Sequence, residues 1–222
     1  MRRFNPFLRP TAAAYAAAFL FAIHLVTYLI APIRDATPTS SPIVAELLAL
    51  LGVAEHLVLF PVVAALPAPR WARAAGYGWL VIDMATDIMQ LNGAAKLTYL
   101  SLRYGGHIAA ALWIVAASWR TKRALRFTGC FVALDLVVYS FIAYVPFAFI
   151  VLLPSLILLP LWFWLVGNLL AYIDQCQPQP AEAGKGEALL WARERIDDAC
   201  ARSGESRKNV QRGLTLQPPP AP

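Results

Sequence analysis

The sequence sets nine ionisable side chains inside long apolar runs: His24, Glu46, Glu55, His56, Asp83, Asp87, Arg103, His107 and Asp135. Ionisable groups are costly in an apolar interior, so each marks either a site or an internal ion pair. Asp83, Asp87, Glu55 and His107 are the candidates for acid–base chemistry, because a carboxyl group or imidazole held away from water can pass a proton near neutral pH. Together with His24, His56, Arg103, Asp135 and Asn168 they make up the candidate binding set. Asp83 and Asp87 stand one helical turn apart and share a face, which Gln90 extends. The same spacing relates Arg103 to His107, His24 to Tyr28, Asp135 to Tyr139, and Trp164 to Asn168 and Tyr172. Arg103 can neutralise Asp87, since both fall toward the same end of their runs.

Three chemistries are compatible with this set. The first is binding or transport of a small lipophilic or cationic molecule, or an accessory role in a membrane complex. The second is a membrane-embedded enzyme that uses buried carboxylates for acid–base work on a lipid or isoprenoid. HExxH, GxSxG and DDxxD are all absent from the sequence, and Asp83-x-x-x-Asp87 alone is a weak divalent-cation signal. The third is a b-type haem or metal protein, because His24, His56 and His107 lie at similar depth on three segments. No two of these histidines share a segment, so spacing assigns neither a cofactor nor a metal-ligand set. Cys130, Cys176 and Cys200 form no CxxC pair and no readable disulfide framework.

The elements that carry these residues are membrane spans. The 222 residues are 59% hydrophobic and 14% charged, against about 25% charged in a soluble domain. The apolar runs repeatedly reach the 20 or so residues that a hydrocarbon core of about 30 Å requires. Six spans are predicted: Thr11 to Pro32, Ile43 to Leu66, Gly76 to Leu91, Leu97 to Trp119, Phe127 to Tyr144, and Phe149 to Ile173. Asn92-Gly93 reads as a turn, and Pro154 and Pro160 predict a kink in the last span. At about 1.5 Å rise per residue, His24, Glu55, His56, Asp87 and His107 fall roughly 15–20 Å from the nearest loop, near mid-membrane. Charged side chains avoid lipid, so the polar stripes should converge on a shared interior.

The fold class is therefore an all-α, polytopic transmembrane bundle of six helices. Nine basic residues fall in the loops on the side of the N-terminus (Arg2, Arg3, Arg9, Arg70, Arg73, Arg120, Lys122, Arg123 and Arg126). Three, Arg34, Lys96 and Arg103, fall toward the opposite side. This asymmetry predicts both termini in the cytoplasm and a location in the plasma (inner) membrane. It also accounts for the net charge of +6 without nucleic acid as a partner. Residues 1–174 form the transmembrane domain. Residues 175–222 form a short cytoplasmic tail, with an amphipathic helix over 187–201 between disordered, proline-rich ends. The lipid bilayer is the first partner. Ala13/Ala17, Ala14/Ala18 and Gly105/Ala109 permit close helix contact, either inside the bundle or in a homo-oligomer or membrane complex.

The runs GGHIAAALWIVAASW (Gly105 to Trp119) and LPLWFWLVGNLL in the last span resemble uncharacterised six-helix bacterial integral membrane proteins. The resemblance covers the last three spans and implies a fold but no activity. The richness in Ala, Arg and Pro fits a bacterial source.

Overall fold

Proline opens three of the helices. Pro10, Pro32 and Pro42 stand in first turns, where the missing N–H costs nothing and the fixed φ already suits a helix. In the computed structural model, which describes residues 9–142 and 148–176, the elements run α1 (Pro10–Leu29), α2 (Ala31–Arg34), α3 (Pro42–Ala65), α4 (Arg70–Leu91), α5 (Lys96–Ser118), α6 (Arg123–Ile142) and α7 (Ala148–Cys176). Among the described residues there is no strand. Residues Met1–Asp174 group as one unit. The amphipathic helix anticipated over 187–201 lies outside the described residues.

Five helices are long and apolar enough to cross a membrane: α1, α3, α5, α6 and the stretch Ile150–Gln175 of α7. Of the two others, α2 is only four residues long, while α4 has a span's length at 22 residues but carries Arg70, Arg73, Asp83 and Asp87. It also starts earlier than its apolar pattern indicates, at Arg70 rather than Gly76, because Trp71 and Ala72 continue the helix below the apolar stretch. The α4–α5 turn matches its sequence signal. Gly93 takes φ +71, Gly93 N–H bonds Gln90 O at 3.2 Å and Ala94 N–H bonds Met89 O at 3.0 Å. This double closure needs a left-handed residue after the helix end, and glycine adopts that conformation without steric cost. The basic segment 120–126 is divided by the structure: Arg123 and Arg126 belong to the first turn of α6, and only a short turn precedes them.

Short turns at 66–69, 92–95 and 119–122 make α3, α4, α5 and α6 successive antiparallel neighbours, and α1 packs on α3. The alanines of α1 face inward: Ala13, Ala14, Ala17 and Ala18 are all buried. Their small-xxx-small pairs thus serve internal packing. Gly105 instead faces open space. Helix α7 closes the bundle with Trp162, Phe163, Val166 and Leu170, and its Asn168 accepts a hydrogen bond from Tyr15 of α1 at 2.8 Å. The outside of the bundle is apolar, with Phe19, Leu50, Leu97, Phe127, Leu134 and Phe141 all exposed. Side chains of that kind, spread over every face, suit an environment of lipid.

Glycine sets the tightest contact of this packing. A Cβ on Gly129 of α6 would collide with Ser118 Oγ and come within 2.7 Å of Trp162 Nε1, where Trp162 donates to Ser118 at 2.9 Å. Gly129→Ala should therefore lower the thermal midpoint of the detergent-purified protein, with an overpacking cost of about 1–3 kcal/mol. Gly78→Ala, which meets nothing within 4 Å, should leave the midpoint unchanged or raise it in the same fluorescence melt.

Candidate functional site

The two aspartates of α4 both stand between α3 and α5, and each rests against a glycine. Asp87 Oδ2 occupies the space that a Cβ on Gly52 of α3 would fill, and Asp83 Oδ1 lies 2.7 Å from a Cβ on Gly106 of α5. Only backbones without side chains at those two points admit the carboxyl groups between the helices.

Each carboxyl group then meets a cationic or protonable partner. Arg103 donates through Nη2 to Asp87 Oδ1, and through Nε to Thr86 Oγ1 at 2.9 Å. Thr86 passes the contact on, donating to the Asp83 carbonyl at 2.8 Å. Asp83 Oδ2 accepts from Trp79 Nε1 at 2.6 Å and lies 3.2 Å from His56 Nε2. His56 Nδ1 sits 2.6 Å from the Gly52 carbonyl. A carbonyl only accepts, so Nδ1 carries a hydrogen. The contact between His56 Nε2 and Asp83 Oδ2 then holds one proton, on either atom, giving an imidazolium–carboxylate or a neutral pair. His107 Nε2 is 3.9 Å from the same Oδ2. A further pair ties α1 to α3: His24 Nδ1 lies 3.0 Å from both carboxylate oxygens of Glu55, which is only 1% exposed.

These groups line one cavity of about 200 Å³. His24, Glu55, His56, Asp83, Asp87, Arg103 and His107 all contribute to its wall, with Tyr28, Tyr104 and Tyr139 toward one end. Seven of the nine predicted binding residues are thus brought together. The other two are placed elsewhere. Asp135 accepts the Ser155 backbone N–H at 3.0 Å and braces α6 to α7. Asn168 serves Tyr15, and its stripe partners Trp164 and Tyr172 are exposed. Glu46 is also exposed. Trp79, Thr86, Tyr104 and the two glycines were missed in the sequence. Trp79 could have been found, since it stands one turn before Asp83 on the same face. The glycines carry no signal of their own.

The cavity has a floor. Phe21, His56, Trp79, Trp113, Trp162 and Phe163 form a closed ring of aromatic contacts, with successive centroids 6.3, 5.4, 5.9, 5.4, 4.9 and 5.3 Å apart on returning to Phe21. All six are buried. At the other end, near the C-termini of α1 and α6 and the N-terminus of α5, Tyr28, Leu100 and Tyr139 are only partly buried. The aromatic ring thus closes the cavity at one end, and its lining at the other end is only partly buried.

The haem expectation fits this geometry poorly. His56 engages both ring nitrogens, and 200 Å³ is below the roughly 300–1,000 Å³ of pockets for drug-sized ligands. Among the described residues no group of three His, Cys, Asp or Glu side chains is arranged to hold a metal ion.

The Asp87–Arg103 pair should show strong coupling. Asp87→Ala strands a guanidinium between α4 and α5 and should cost on the order of 2 kcal/mol. The double variant Asp87→Ala/Arg103→Ala should recover part of that loss, measured as a coupling energy in a double-mutant cycle of unfolding midpoints. Strict additivity would show that the pair is not formed.

Comparison with protein families, with curated proteins and with solved structures finds no match for this chain, so the chemistry of the cavity rests on its own side chains.

Proposed function

We propose that the protein is a six-span membrane protein that reversibly binds a small organic cation in its one-ended cavity. The sixth span is α4, whose 22 residues rise about 33 Å, enough for the hydrocarbon core. Its polar face is met by α3 and α5, so its charges need no lipid contact. The basic loops favour both termini inside, which directs the cavity mouth to the outer face of the plasma membrane.

The observation that carries the reading is the charge of the wall. Glu55, Asp83 and Asp87 stand against Arg103 and the one proton that His56 and Asp83 share, a formal net of −1. Aromatic faces stand beside them: Tyr139 lies 5.7 Å from both Tyr104 and His107. Carboxylates and electron-rich rings around a small space are what an ammonium group requires. The closed aromatic floor favours binding over passage, because a transported molecule would have to open that ring.

A second reading is supported by the Glu55–His24 pair. A buried carboxylate that holds Nδ1–H leaves Nε2 as the basic nitrogen, the arrangement of a general base. Under this reading the protein would be an enzyme acting on a lipid or isoprenoid.

Three molecules of one shape separate the outcomes: choline, its uncharged carbon isostere, and the corresponding carboxylate. Choline should raise the thermal midpoint of the purified protein, and the other two should not. Asp83→Asn should abolish the shift. Equal stabilisation by the uncharged isostere, or stabilisation by the carboxylate alone, would refute cation binding.

A further inference from the structure

The opposite end of the bundle carries a second recess, built from different chemistry. A groove of about 600 Å³ runs between the 67–69 turn and the end of α5, lined by Trp71, Val115, Ala116, Trp119 and Arg120. A second hollow of about 400 Å³ adjoins it across Trp119, lined by Arg123, Arg126, Phe127 and Cys130. Trp71, Trp119 and Phe127 are all well exposed. Among the described residues none of the three arginines forms an ion pair.

We infer that this double hollow is a binding site for an anionic phospholipid. The three arginines lie within two turns of each other, at the start of α6 and just before it, where a phosphate headgroup would stand. Arginine recognises phosphate through paired N–H donors. The tryptophans lie level with the headgroup, the position that an amphipathic indole favours at a membrane surface. Below them the wall turns apolar along Val115, Ala116 and Phe127, which suits acyl chains. Charge alone would draw any anionic lipid loosely to this surface. The paired hollows on either side of Trp119 add a shape that holds one molecule in place. The inference depends on the membrane reading but not on the cation-binding cavity, which lies beyond the aromatic floor.

The test is native mass spectrometry of the full-length protein in detergent, titrated with phosphatidylglycerol or phosphatidylcholine of identical chains. Phosphatidylglycerol should bind at least about ten-fold more tightly. The variant Arg120→Gln/Arg123→Gln/Arg126→Gln should lose that preference. Arg2→Gln/Arg3→Gln/Arg9→Gln, which removes the same charge from the N-terminal segment of the sequence, should keep it. Equal loss in both variants would show diffuse attraction and overturn the site. Equal binding of the two lipids by the wild type would also overturn it.

Discussion

Carboxyl groups inside an apolar bundle must be given partners or the bundle does not form, and this requirement organises the structure around α4. Asp83 and Asp87 share one face of α4, wedged between α3 and α5, and each helix supplies one of them with a partner. The contact has to be close, and glycines at 52 and 106 let it be close. Replacing Asp87 by an apolar residue would leave Arg103 with nothing to neutralise it, and replacing Asp83 would leave His56 Nε2 and Trp79 Nε1 without their hydrogen-bond partner. The remaining elements accommodate this core. Helix α1 adds His24 to Glu55, α6 supplies Tyr139 to the wall, and α7 seals the interior with aromatic rings.

The same ion pairs that satisfy the helices also create the site. A pair that were purely a structural brace would be packed over on every side. Here the partners line a common space, and their free edges face it together with tyrosine rings. Stability and recognition are therefore coupled at these residues. Asp135 shows the contrast: its carboxylate is spent on a backbone N–H between α6 and α7 and adds nothing to the cavity.

Much of this was legible in the sequence. The long apolar runs located the helices, Asn92-Gly93 located a turn, and the one-turn spacing of Asp83 and Asp87 indicated a shared face. The Arg103–Asp87 partnership followed from their depth alone. What the sequence could not resolve was which way each stripe faced. Asp135 carries the same carboxyl group as the cavity wall and Asn168 is polar like it, but rotation of α6 and α7 directs both elsewhere. The start of α4 was misplaced because a helix end inside a basic segment has no change of hydropathy to mark it. Gly52 and Gly106 gave no sign of their role, since close approach depends on the partner helix rather than on any local pattern. The aromatic ring is likewise a property of five helices at once, with one member from each of four and two from α7.

That ring also has an electrical meaning. A file of histidines and carboxylates running from face to face would carry protons down a membrane potential and dissipate it. On the far side of the ring the buried polar side chains among the described residues are the hydroxyls of Ser118 and Thr128, which do not titrate. Apart from His56, which belongs to the cluster itself, the rings of that floor do not titrate either. Under the membrane reading proposed above, this side of the bundle would offer protons no path from the cluster, and the cluster would not become a leak.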